Sequence, residues 1–173
     1  MILTGKQIQK EVEENRIVLS PFNSNQVTTN SYDLRLGKYL IKYEEDILDP
    51  KKENKHQMIE IPDSGLLLNK GDFVLASTSE TIGSNYYVPL IHAKSGIARM
   101  GLFVHITADL IDIGSIGAST LQLYATLPIV IYPYMLVAQV SFWQTLGEIE
   151  LYKGKYGKSQ KPQVSQIHKD FVN

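Results

Sequence analysis

Hydrophobic and polar positions along this chain keep mostly to a period of two, and the first turn of sequence is the exception. Thr4-Gly5-Lys6-Gln7 fits a capping box, in which a Thr hydroxyl accepts from the third helical N–H while the Gln side chain reaches back. Leu3 and Ile8 stand at the staple positions on either side, and Ile8 and Val12 share one face at i, i+4 spacing. One short helix over about residues 5–15 is predicted.

Beyond it the pattern becomes extended. Ile17-Val18-Leu19, stopped by Ser20-Pro21, reads as a short strand. Tyr32, Leu34 and Leu36 alternate with Asp33 and Arg35, pause at Gly37 and resume with Tyr39, Ile41 and Tyr43, which predicts a strand with a bulge or turn at Gly37. Lys51 to Gln57 is charge-dense and reads as an exposed loop. Leu66–Leu68, the turn Asn69-Lys70-Gly71-Asp72 and Phe73–Ala76 read as a hairpin. Further strands are predicted at 86–92, 101–106, 118–126, 128–132 and 135–143, at the spacing of a β-sandwich or barrel. No repeat of 20–50 residues is visible, which argues against a propeller or solenoid. After Trp143 the chain turns polar and basic before a short apolar close at Phe171-Val172. That tail is either disordered or an arm that orders over a bound anion.

Composition narrows the classes. With 173 residues, 43% hydrophobic and 20% charged, the chain suits one folded domain spanning 1–173. A net charge of −1 argues against a broad surface for duplex nucleic acid, although Lys153, Lys155, Lys158 and Lys161 cluster with Tyr152 and Tyr156 in the tail. The absence of cysteine removes disulfides and the Cys-containing zinc sites of one large class of nucleobase deaminases. His92, His105 and His168 show no i, i+4 pairing that would recommend zinc. No apolar run approaches the ~18 residues of a membrane span, and MILTGKQIQK lacks the order of a signal peptide; both favour the cytoplasm.

Polar chemistry concentrates between Ala93 and Thr126. Lys94, Ser95 and Arg99, with Gly96 between them, could hold phosphate oxygens, Arg as a planar fork and Lys as a point charge; they could equally be surface cations. Asp112 precedes a Gly-Ser-Ile-Gly turn, where its carboxylate could accept a sugar hydroxyl, orient a water, or cap the turn.

Six ordered stretches carry a resemblance. NSYDLRLG at 30–37, AKSGIARMGL at 93–102, HITADLID at 105–112, TLQLYA at 120–125, MLVAQVSF at 135–142 and KYGKSQ at 155–160 resemble the motifs of the dCTP deaminase and dUTPase superfamily. The N-terminal segment is similar to the deaminase branch, including its bifunctional deaminase/dUTPase members. The resemblance implies a mainly β fold, a distorted jelly-roll-like barrel, assembled as a homotrimer with shared active sites. It also implies a deoxypyrimidine nucleoside triphosphate as partner, with Mg²⁺ on its phosphates and no zinc. Lys94, Ser95 and Arg99 would contact phosphates and the catalytic water. The stretch His105, Ile106 and Ala108 would line the base pocket, and Asp112 would sit by the deoxyribose as the water-orienting carboxylate. Tyr152, Lys155, Tyr156 and Gln160, in an arm over residues 152–173, would close over the nucleotide.

Several positions depart from the family pattern. Gln122 stands where the deaminases carry the Glu that activates the attacking water. Leu110 replaces a customary Arg, Ser115 a frequent aromatic residue, and Gln166 the Arg of a terminal Ser-Arg pair. Tyr134 replaces the Gly of a Pro-Gly turn, where a type I turn would accept it. A neutral amide cannot take a proton from water, and such general-base work is commonly worth 10²–10⁴-fold. Three readings follow: deamination of dCTP by another group, hydrolysis to the monophosphate, or a non-catalytic homologue that sequesters or senses a nucleotide or regulates a partner.

Overall fold

The computed structural model describes residues 1–156 and 159–171; Lys158, part of the basic cluster, and Val172 lie outside them. Helix α1 runs Gly5–Glu13, and Thr4 caps it by accepting from the Gln7 N–H at 3.4 Å. Only that half of the predicted capping box forms. The Gln7 side chain instead donates forward to Glu11 at 2.6 Å, drawn by a carboxylate one turn on. Ile8 is fully buried and Leu3 packs against the same core.

Ten strands follow: β1 Ile17–Ser20, β2 Tyr32–Tyr43, β3 His56–Glu60, β4 Leu66–Leu68, β5 Phe73–Ser84, β6 Tyr87–Ala93, β7 Leu102–Phe103, β8 Gly117–Ala125, β9 Ile129–Ile131 and β10 Leu136–Gln144. A second helix, α2 Ser95–Arg99, separates β6 from β7. The large sheet has the order β6-β10-β2-β5-β8-β7, with β1 added on β5 and β3 on β2; β4 and β9 form a small second sheet. The result is the mainly β, jelly-roll-like barrel with one short N-terminal helix that the resemblance implied. One cluster, built on Tyr32, Leu34, Leu36, Leu121, Leu123, Val140 and Phe142, fills its interior.

Three strand-level expectations change. The turn at Asn69–Asp72 is present, with the Asp72 N–H donating to the Asn69 carbonyl at 3.0 Å, but the strands beside it do not pair with each other. Leu66–Leu68 pairs with Ile129–Ile131, and β5 pairs with β8, so the turn hands the chain from one sheet to the other. Within the stretch read as an exposed loop, His56 and Gln57 begin β3, which pairs with the far half of β2. Tyr134 has φ 61°, in the left-handed region that a type I turn does not use, and this is the conformation that makes Gly customary there.

Gly37 marks the expected irregularity. The register between β2 and β5 shifts between Leu36 and Leu40, and a Cβ at Gly37 would meet the Ser77 hydroxyl at 2.7 Å. Asp33 and Arg35, the polar residues between the apolar positions of β2, are both engaged by charged partners. Asp33 is 6% exposed beneath Lys94, and Arg35 lies against fully buried Glu80, to which its Nε donates at 2.7 Å.

At the end of α1, the Arg16 guanidinium beside Glu11 holds its carboxyl down from 4.5 to about 2. The pair therefore contributes fully above the unfolded carboxylate value, and the contribution is lost as pH falls through the folded one. Because Arg16 is partly exposed, solvent screening discounts that contribution. Urea denaturation of the wild type is expected to weaken more steeply between about pH 5 and 2 than that of Glu11→Gln. Parallel pH profiles for the two chains would contradict this.

Candidate active site

Period-two alternation on β8 sets the floor of the site. Leu121 and Leu123 point into the core, so Thr120 and Gln122 face the other way, opposite Leu75 of β5. The Gln122 N–H donates to the Val104 carbonyl at 3.0 Å, tying this floor to the loop that follows β7. A cavity of ≈ 440 Å³ opens above it. Phe73 and Leu75 form one wall, His105, Ala108, Leu110 and Asp112 another, and Tyr152 and Tyr156 with Gln163–Ser165 a roof.

The loop wall is fixed by backbone bonds. The Ile91 N–H donates to the Asp109 carbonyl and the Ile111 N–H to the Pro89 carbonyl, each at 2.9 Å. The Ser115 N–H donates to the main-chain carbonyl of Asp112 at 3.0 Å, so the backbone closes this turn. No hydrogen bond to the Asp112 carboxylate forms among the described residues, and the residue is exposed at the cavity edge. At Gly114, with φ 90°, a Cβ would meet the Tyr152 nitrogen at 2.9 Å; glycine lets the arm pack here, where the Tyr152 N–H donates to the Ile113 carbonyl at 2.7 Å.

The His105 Nε2–H donates to the Ala108 carbonyl, while Nδ1 is buried without a partner among the described residues. Burial pushes the imidazole below its usual value, against the smaller opposing effect of the Ala108 and Val104 carbonyls. The ring is therefore neutral at pH 7 and contributes no cation to the cavity.

The cavity brings together Gln122, Asp112, His105, Ala108, Tyr152 and Tyr156 from the residues singled out in the sequence. Lys94, Ser95 and Arg99 lie apart from it on α2 and its cap, with Lys94 paired to Asp33 and Arg99 donating to the Ser95 carbonyl at 3.0 Å. Ile106 is about half exposed and outside the lining. Lys155 turns to Asp170, and Gln160 is exposed beyond the roof. The cavity wall thus carries no lysine or arginine among the described residues, and Asp112 is its one carboxylate.

Sequence reading missed Phe73, Leu75 and the roof residues Gln163–Ser165. Phe73 and Leu75 share the alternation of β5 and could have been placed once β5 was paired with β8. The roof is held by long-range bonds, from the Gln163 N–H to the Thr120 hydroxyl at 3.1 Å and from the Ala118 N–H to the Ser159 carbonyl at 2.7 Å, which no local pattern announces.

A family model described as dCTP deaminase-like matches residues 2–145. The chain belongs to the dCTP deaminase-like family. Among members of that family it is 41% identical to a protein from Clostridium beijerinckii over 172 residues, 99% of both chains, and 42% identical to one from Hathewaya histolytica, again 99% of both. Both relatives are named dCTP deaminase, dUMP-forming. The fold is similar to that of the dCTP deaminase from Agrobacterium tumefaciens, with a TM-score of 0.65 at 20% identity, over 82% of this chain and 47% of that one.

Proposed function

We propose that this dCTP deaminase-like chain binds a deoxypyrimidine nucleoside triphosphate beneath its arm and hydrolyses it to the monophosphate without deaminating the base. The observation that carries this reading is that one cavity brings together Asp112, its one carboxylate among the described residues, and Gln122 on its floor. Deamination at C4 of cytosine needs a group that takes a proton from water and returns it to the departing ammonia. The Gln122 amide can do neither near neutral pH, yet it can donate to and accept from a base edge.

Hydrolysis asks less of the floor. A water oriented by Asp112 attacks the α-phosphorus and its proton passes to the carboxylate. The bond from that phosphorus to the bridging oxygen breaks, and pyrophosphate leaves as the anion. Magnesium belongs to the substrate in this scheme, carried by phosphate oxygens; among the described residues no group of three or more His, Asp or Glu gathers into a cage of its own. The relatives' names, which join dCTP deaminase to dUMP formation, support the substrate class. With no lysine or arginine on the cavity wall among the described residues, charge neutralisation falls to Lys94 and Arg99 of a neighbouring copy, with Ser95 as a neutral donor, as in a homotrimer with shared sites.

A second reading, nucleotide binding without turnover, is favoured by the neutral Gln122 amide on the cavity floor, which can bond to a base edge but cannot move a proton. Incubation with Mg²⁺ and dCTP, dUTP or dTTP followed by chromatography separates the two. The expected result is dUMP with pyrophosphate from dUTP and no deaminated product from dCTP. Unchanged nucleotide with measurable binding would select the second reading, and dUTP or dUMP appearing from dCTP would overturn the loss of deamination.

A further inference from the structure

We infer that Asp33 is a positioning residue for Lys94, holding that cation ready for the phosphates; the inference rests on the nucleotide reading above. Its basis is an ion pair that spans a strand. In the large sheet β10 lies between β6 and β2, with Gln139 in register with both His92 and Asp33, and Ala138 with both Ala93 and Leu34. Lys94 follows directly on β6, where its N–H donates to the Val137 carbonyl at 2.9 Å, and it stands at the N-cap of α2. From there its ammonium reaches past β10 to Asp33 Oδ2.

The burial of this pair is lopsided. Asp33 is 6% exposed and its Oδ1 is buried with no partner among the described residues, whereas the Lys94 side chain remains 35% exposed. A buried carboxylate with one oxygen unpaired is a poor choice for stability alone, because desolvation offsets much of what the pair returns. What a carboxylate does there, and an amide does not, is draw a neighbouring ammonium to it by charge and occupy one of its three donors. Among the described residues the ammonium makes no other hydrogen bond, so its remaining donors are available to a ligand.

The support beneath Asp33 is rigid. Its carbonyl accepts from the Gln26 amide at 2.7 Å, the same amide donates to Glu80 at 3.1 Å, and Glu80 holds Arg35. A fixed β2 backbone thus sets Lys94, and Lys94 sets the first turn of α2, which carries Ser95 and Arg99.

The test compares dUTP with deoxyuridine, titrated by calorimetry and by NMR at millimolar concentration, on wild type, Asp33→Asn, Asp33→Glu, Lys94→Met and the Asp33→Asn/Lys94→Met double variant. Circular dichroism and thermal melts establish that each folds. Asp33→Asn and Lys94→Met are each expected to weaken dUTP about tenfold, the scale of one hydrogen bond to a charged group, with deoxyuridine affinity unchanged. Asp33→Glu should recover part of the loss, and the double variant should be no weaker than Lys94→Met. Unchanged dUTP affinity in Asp33→Asn, an equal loss for dUTP and deoxyuridine, or a full second loss in the double variant would each overturn the assignment. If the wild type binds neither probe, the nucleotide reading itself falls and this inference falls with it.

Discussion

Gln122→Glu is expected to raise ammonia release from dCTP on the order of 10²-fold over the wild type, at the low end of what general acid–base catalysis contributes. The change is one of charge and not of shape, since an amide nitrogen becomes a carboxylate oxygen. The backbone that presents it is already fixed, by the bond from the Gln122 N–H to Val104 and by the register with Leu75. The apolar wall beside it, Leu75 and Phe73, would favour the protonated acid between steps, which suits a group that must accept a proton and return it. Ammonia release from dCTP, followed with a coupled assay alongside dUTP hydrolysis as control, reads the result. No gain in a folded variant would mean that the opposite wall, where Leu110 replaces a customary Arg, has been remade so far that cytosine no longer meets position 122.

Glu80→Ala is expected to lower stability by about 3–5 kcal/mol, as for removal of one partner from a buried ion pair. Glu80 is fully buried and accepts from the Arg35 N–H at 2.9 Å, from Arg35 Nε at 2.7 Å and from Gln26 at 3.1 Å. Truncation leaves all three donors without a charge to face, in a fold whose net stability is of the order of 5–15 kcal/mol. Urea denaturation measures the loss. The double variant Arg35→Met/Glu80→Met should recover part of it, because the unpaired guanidinium leaves with its partner. A loss under about 1 kcal/mol in Glu80→Ala would show that the network is replaceable by water.

These two residues also mark how far the sequence could be read. The facing of position 122 was legible because the alternation of β8 is regular, with Leu121 and Leu123 in the core and Gln122 on the cavity. Glu80 was not, because nothing near it in the chain says that its partner is Arg35, 45 residues earlier on a neighbouring strand. The same limit produced the false hairpin at 66–76, where the partner of Leu66–Leu68 is Ile129–Ile131 and proximity in sequence favoured the wrong strand. Helix α2 is five residues long, too short to show a period, and so no helix was predicted between the strands at 86–92 and 101–106. That Lys94, Ser95 and Arg99 lie outside the cavity lined by Gln122 and Asp112 follows from the folded chain alone, since a motif gives the order of residues and not the distances between them.

The central claim is that the cavity above Gln122 holds a deoxypyrimidine nucleoside triphosphate. Calorimetric titration of the full chain with dUTP in the presence of Mg²⁺ addresses it most directly. Saturable heat with one nucleotide per chain is the predicted result, retained in Asp112→Asn, in which hydrolysis of the bound nucleotide is lost. A flat titration with dUTP, dCTP and dTTP alike, in a chain that is folded by circular dichroism, would contradict it.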